Sequence, residues 1–261
     1  MVEHNNMNYK TILVDVRNGY AVVTLNRPQE MNALSKEMRL EIEACFKALE
    51  NDPHVNCVVL TGGDFVFSAG MDIKELSTLA DTEIDDFFRS VVRYLKRIYV
   101  FPRPVIAAVG GIALGGGFNL AAVCDMIIAS ESAIFGHPEL KFGVSPLFNP
   151  LRQRVGMAKA KEVTMLGEPI GAREALRIGL VNKVATPEGF MQEALNMAEE
   201  FTKRSANALE AIKKISHMVP LMDGASALEL EFDVAALLFS RAERKVYMQT
   251  FLERLSERKK K

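Results

Sequence analysis

The chain has 261 residues, 49% hydrophobic and 25% charged, with 32 Lys and Arg against 33 Asp and Glu for a formal charge of −1. That apolar content excludes a disordered chain, and 17 glycines with 10 prolines exclude a continuous coiled coil. A charge this near zero, with its one basic run at Arg258, Lys259, Lys260 and Lys261, argues against nucleic acid as a partner.

Residues 10–16 and 20–26 alternate apolar and polar positions around Asn18-Gly19, a pair that tolerates the positive φ of a type I′ turn; a hairpin is predicted. Ser35 is placed to cap a helix to about Asn51, with Met38, Ile42, Cys45, Phe46 and Leu49 on one face. Residues 57–61 form a short apolar run before Gly62-Gly63, the pattern of a buried strand. Residues 81–100 repeat the helical period through Ile84, Phe87, Phe88, Val91, Leu95 and Ile98.

Residues 104–124 carry no charge and are long enough to span a bilayer. Gly110, Gly111, Gly115, Gly116, Gly117, Pro104 and Asn119 argue instead for a buried strand over 103–109, a glycine turn and a helix over 117–124. No membrane partner is expected. Short strands are predicted over 125–129, 133–135 and 141–144, then helices over 158–166, 172–178, 188–204, 205–218 and 225–257. Strands alternating with helices, then helices alone, predict an α/β core over residues 1–200 with a helical C-terminal region over 201–261.

Cys45, Cys57 and Cys124 are too few and too far apart for a disulfide framework, and neither they nor His4, His54, His137 and His217 fall at metal-ligand spacing. With the polar start Met1-Val2-Glu3-His4-Asn5-Asn6, which does not read as a signal peptide, a reducing, cytoplasmic setting is expected.

Three enzyme classes drop out on motif grounds. No phosphate-binding loop is present, the dinucleotide spacing fails at Leu120, and Gly143-Val144-Ser145 runs into Pro146-Leu147 where a nucleophile elbow needs glycine. Two loop-to-helix junctions remain. One is Phe67-Ser68-Ala69-Gly70-Met71-Asp72-Ile73-Lys74-Glu75-Leu76; the other is Gly110-Gly111-Ile112-Ala113-Leu114-Gly115-Gly116-Gly117-Phe118-Asn119-Leu120. Each reads either as a tight turn under close packing or as a helix N-terminus whose unpaired N–H groups favour developing negative charge. Two such groups converging on one point make an oxyanion hole. Downstream, His137-Pro138-Glu139-Leu140 places a carboxylate among apolar neighbours, either a solvated surface group or an acid/base.

In this order, these segments resemble the enoyl-CoA hydratase/isomerase (crotonase) superfamily over nearly the whole chain. Leu25-Asn26-Arg27-Pro28-Gln29-Glu30-Met31-Asn32-Ala33-Leu34 and residues 67–76, 110–125, 135–143 and 167–184 carry the resemblance. It implies an α/β fold, a crotonase-like spiral of ββα units with a helical C-terminal region used for trimerisation. It also implies homotrimers or dimers of trimers and acyl-CoA substrates. Coenzyme A is then part of the substrate, with no separate cofactor and no metal. Carried over by position, Met71 N–H and Gly116 N–H would hold the thioester carbonyl. Ala69, Asp72, Ile73 and Lys74 would line the adenine and pantetheine, with Glu30 and Met31 beside them. A thioester enolate needs such preorganised donors; losing one costs about 3–4 kcal/mol.

Hydratases of this superfamily use two glutamates. One matches Glu139, but the other falls at Asn119. Asparagine can orient a water or a substrate oxygen but cannot take its proton, and general acid–base help is typically worth about 10²–10⁴-fold. A single glutamate resembles the pattern of mitochondrial-type Δ3,Δ2-enoyl-CoA isomerases. Ser145-Pro146-Leu147-Phe148-Asn149-Pro150 lacks both the glycine-rich segment of hydratases and the glutamate of peroxisomal-type isomerases. The expected function is an isomerase-like double-bond shift in fatty acid metabolism, with Glu139 as acid/base, Met71 and Gly116 as oxyanion donors and Asn119 as an orienting group. The alternatives are a hydratase or dehydratase of an unusual acyl-CoA, a decarboxylase, and a non-catalytic CoA-binding scaffold.

Overall fold

Asn18 (φ 51°) and Gly19 (φ 86°) both take left-handed backbone. They join β1 (Ile12–Arg17) to β2 (Tyr20–Leu25) as the predicted antiparallel hairpin. In α1 (Lys36–Glu50) the Ser35 hydroxyl accepts from Met38 N–H at 3.3 Å, and the expected apolar face is buried. β3 (Cys57–Thr61) occupies its predicted span. Then follow β4 (Val66–Ser68), α2 (Ile73–Ser77), α3 (Ile84–Tyr99), β5 (Val105–Val109), β6 (Ile112–Leu114), α4 (Gly116–Ala122), β7 (Met126–Ser130) and β8 (Ile134–Gly136). The order continues with α5 (Asn149–Leu166), β9 (Ile170–Gly171), α6 (Ala172–Arg177), β10 (Lys183–Ala185) and α7 (Phe190–Thr202). This computed structural model describes residues 9–258; the polar start at residues 1–6 and the basic Lys259, Lys260 and Lys261 lie outside the described residues.

The chain divides into two compact units, one ending at Arg204 and one starting at Ser205. The second holds α8 (Ala206–Met218), α9 (Gly224–Ser240) and α10 (Glu243–Arg258). The first is built on two sheets, of strand order β1-β2-β3-β5-β7-β10 and β4-β6-β8-β9. Consecutive strands alternate between them: β3, β5 and β7 run parallel in the larger sheet, while β4, β6 and β8 run parallel in the smaller. Each turn of chain therefore adds one strand to each sheet, and the result is a spiral. β3 and β5 are buried along their whole length because both faces of the large sheet are covered. Phe190, Ala194 and Ala198 of α7 seal one face, and the main core, including Met38, Phe46, Phe67, Phe118 and Phe135, fills the other side.

Several expectations need correction. The glycine turn contains a strand, β6, and the first junction contains another, β4; at three residues each, neither shows a period. Residues 141–144 are not a strand: Pro138–Phe142 form a 3-10 helix, started by Pro138 and closed by Gly143 at φ 72°. On α3 the buried face runs through Phe87, Ser90, Tyr94, Leu95 and Ile98, while Ile84 and Phe88 are exposed. α5 begins nine residues earlier than predicted and is kinked at Gly156 (φ 76°, ψ 169°). The predicted helix over 225–257 is two, broken where Arg241 turns extended (ψ 149°). The uncharged stretch is β5, β6 and α4, and among the described residues no helix is long and apolar enough to cross a membrane. All three cysteines are buried and none is in a disulfide.

Candidate active site

β4 and β6 lie side by side, with Ser68 opposite Ala113. Met71 and Gly116 each stand three residues further on, so they occupy equivalent places on successive turns. The pairing shifts by one residue between Val66 and Ser68, a bulge that brings 71 rather than 70 opposite 116. The result is a close approach of two backbones. A Cβ placed on Gly116 would lie 3.4 Å from Met71 N, and one placed on Gly70 3.2 Å from Gly116 N. Gly116 opens α4, where the first N–H groups have no intrahelical acceptor. Among the described residues neither Met71 N–H nor Gly116 N–H donates to a main-chain carbonyl. Two free donors thus converge where the helix dipole favours negative charge.

The loop before α1 holds the first junction in place. Asn32 (φ 52°) donates to Gly62 O at 2.9 Å and Val66 O at 3.0 Å while its side-chain oxygen accepts from Arg27 N–H. Ser68 Oγ donates to Asn32 O at 2.8 Å. Arg27 donates to Ala33 O and to the Asp72 carboxylate at 3.0 Å, and Asp72 caps α2 through Lys74 N–H. Burial pushes the Asp72 carboxyl up, but the bonds from Arg27 and Lys74 outweigh it and hold its pKa below the ordinary 3.8. Arg39, fully buried in α1, ties Glu75 of α2 at 2.7 Å to Leu34 O and to Ser90 of α3. On the far side, the half-buried Arg154 of α5 donates to Ala122 O and Cys124 O, at the C-terminal end of α4.

Glu139 reaches the same place from the 3-10 helix. A Cβ on Gly115 would lie 3.1 Å from its Oε2. That oxygen is buried and has no hydrogen-bond partner among the described residues. Oε1 lies 3.1 Å from His137 Nδ1. The His137 ring is buried and stacked on Phe118 of α4, with centroids 4.5 Å apart and planes at 24°. Asn119, on the next turn of α4 from Gly116, is half-buried, and its amide has no protein partner among the described residues. Met71, Gly116 and Glu139 are therefore brought together. Asn119 shares their helix, and Asp72 is committed to Arg27. Ala69 is half-buried, whereas Glu30, Met31, Ile73 and Lys74 are exposed around the same junction.

In the sequence, His137 is excluded only as a metal ligand by its spacing, and Arg27, Asn32, Arg39 and Arg154 carry no expected role. For His137 the signal was the adjacent Pro138-Glu139, since a turn starting at that proline returns the carboxylate to the histidine ring. The arginines gave none, because their acceptors are carbonyls, carboxylates and a hydroxyl up to 51 residues distant in the chain.

The alternating two-sheet spiral defines a crotonase fold. The crystal structure of an enoyl-CoA hydratase from Bacillus anthracis matches it with a TM-score of 0.90 at 28% identity, covering 94% of this chain and 97% of that one. An enoyl-CoA hydratase/isomerase from Xanthobacter autotrophicus matches with a TM-score of 0.78 at 37% identity, covering 87% of each chain. A crotonyl-CoA hydratase of Syntrophomonas wolfei is 37% identical over 252 residues, 95% of this chain and 97% of that protein. A probable enoyl-CoA hydratase of Rhizobium meliloti is 37% identical over 249 residues, 94% of this chain and 96% of that protein. The family model described as enoyl-CoA hydratase/isomerase matches residues 15–260. The chain belongs to the enoyl-CoA hydratase/isomerase family and is an enzyme acting on acyl-CoA thioesters.

Proposed function

We propose that the enzyme moves a proton at C2 of an acyl-CoA through a thioester enolate, and that its overall reaction is a Δ3,Δ2 double-bond shift. One observation carries this reading: Glu139 Oε2 is a buried, unpartnered carboxylate oxygen beside the loop where Met71 N–H and Gly116 N–H converge. The two N–H groups hold the thioester oxygen, so negative charge can form there when Glu139 takes the C2 proton. Glu139 then returns that proton to C4, and no second carboxylate is required. Glu30, Met31, Ala69, Asp72, Ile73 and Lys74 are proposed to line the coenzyme A moiety, Asp72 through its backbone and its hold on α2.

A second reading is hydration, favoured by the names of the relatives and by the unpartnered amide of Asn119. Here Asn119 orients the water and Glu139 serves the α carbon. Incubation with 3-enoyl-CoA and with 2-enoyl-CoA separates the two: the first reading expects a double-bond shift, the second water addition. Glu139→Gln is expected to lower turnover by about 10²–10⁴-fold; isomerisation that survives it overturns the mechanism. Asn119→Glu is expected to raise hydration of 2-enoyl-CoA, measured by loss of the conjugated thioester absorbance, and no gain would exclude position 119 as the missing water site.

We also propose homo-oligomers, trimers or dimers of trimers, assembled through the C-terminal unit. Within that unit Leu228, Phe232, Leu237 and Phe239 of α9 and Ile212 of α8 are exposed. A groove of about 530 Å³ lies between α8 and α9, lined by Ile215, Val219, Pro220, Val234 and Leu238 among others. Exposed apolar side chains gathered on two adjacent helices suit an interaction face. No nucleic acid, membrane, metal or separate cofactor enters this reading.

A further inference from the structure

We propose that His137 is the positioning residue of Glu139: by holding Oε1 it fixes the carboxylate and assigns proton transfer to Oε2. The inference rests on the role proposed above for Glu139.

His137 is 2% exposed, and Nδ1 is the one ring nitrogen with a partner, 3.1 Å from Glu139 Oε1. Nε2 is buried with no partner among the described residues. A ring kept only to fill space would leave that nitrogen's lost hydration uncompensated, and phenylalanine would fill the same space without the loss. Histidine adds a polar Nδ1. A proton there donates to the carboxylate, so Oε1 accepts and Oε2 stays free.

The geometry makes that bond directional. Stacking on Phe118 fixes the plane of the imidazole, and Phe118 lies two residues beyond Gly116 on the same helix. Pro138 ties His137 to Glu139 through a residue of fixed φ, at the start of the 3-10 helix. The terminal torsion of a glutamate is otherwise broad and two-fold, which would let either oxygen face the substrate. With Oε1 held, Oε2 stays beside Gly115, next to the converging donors. A misplacement of about 1 Å in such an arrangement costs on the order of 10²-fold in rate.

The test reads C2 proton transfer directly, whatever the overall reaction. Butyryl-CoA and hexanoyl-CoA are incubated with the enzyme in D₂O, and deuterium entry at C2 is followed by NMR. His137→Phe keeps the ring stack and removes the donor; its saturating exchange rate is expected to fall roughly 10²-fold with KM within about two-fold of wild type. His137→Gln offers an amide N–H to Oε1 and is expected to recover to within about five-fold of wild type. In a Glu139→Gln background, His137→Phe is expected to add no further loss, because its effect acts through that carboxylate. Exchange at the wild-type rate in His137→Phe overturns the inference. So does equal loss in both His137 variants, or additive loss in the Glu139→Gln background. Should His137→Phe not fold, His137→Gln decides alone: near-wild-type KM and rate support the inference, and a loss as deep as that of Glu139→Gln overturns it. Exchange that survives Glu139→Gln with His137 intact overturns the parent reading instead, which keeps the two failures apart.

Discussion

At the scale of single residues, the candidate site combines groups that sequence exposes with groups it hides. Glu139 and the glycines of both junctions are visible because a carboxylate in apolar company and a run of small residues are each unusual. At Gly116 a side chain threatens the chemistry more than the fold. A methyl there would lie 3.4 Å from Met71 N, in the gap between the two donors, and 2.7 Å from the flexible end of Met71. Gly116→Ala should therefore fold, since Met71 Cε can move, yet lose about 10²–10³-fold in kcat by blocking the oxyanion position. Steady-state kinetics with a 3-enoyl-CoA, alongside a thermal melt, checks both halves. The pairing of His137 with Glu139 is only half legible: Pro138 signals the turn between them, but the ring plane is fixed by Phe118 from another element.

At the scale of elements, the long helices and the central strands were legible and the short connectors were not. β3 shows itself as an apolar run bounded by glycines, and α1 by its cap and five apolar positions on one face. β4 and β6 are too short for any period, and Lys141-Phe142-Gly143-Val144 imitates strand alternation until Pro138 and Gly143 are allowed to set the backbone. The break between α9 and α10 has neither proline nor glycine at Arg241 and Ala242, so nothing local announced it. The placement of α2 beside the site depends on Asp72, and this has a pH consequence. Folding lowers the Asp72 pKa below 3.8, so its stabilising pair with Arg27 is complete above that pH and is lost as pH falls below it. Asp72→Asn keeps a capping oxygen for α2 but gives up the pair. It should be less stable than wild type at neutral pH, with the gap narrowing as pH falls below 3.8, as urea unfolding of both proteins at neutral pH and in acid would register.

At the scale of the whole molecule, the two compact units differ in how much they bury. The first packs most of the buried apolar side chains between sheet and helix, although Phe65 and Phe142 stay exposed, while in the second Phe232 is 74% exposed on α9. Phe232→Asp is expected to shift sedimentation velocity profiles from an assembled species toward monomer if α9 is a subunit contact, and an unchanged profile would place the contact elsewhere. The broad plan, α/β then helical, was legible from the change in pattern along the chain. The alternation of strands between two sheets was not, because each visit to the smaller sheet is only two or three residues long.

The matching positions of Met71 and Gly116, just beyond the ends of two neighbouring parallel strands, also bear on how such a protein can change. Their separation derives from the repeat between paired strands, roughly 4.8 Å, and so belongs to the main chain and to no side chain. A nucleophile or a metal ligand disappears with one codon change, whereas this grip persists as long as the sheet pairs and small residues flank it. Positions 119 and 139 are under no such tie. On the proposed reading they can exchange carboxylate for amide, and so one reaction for another, while the part that holds the enolate is inherited unaltered.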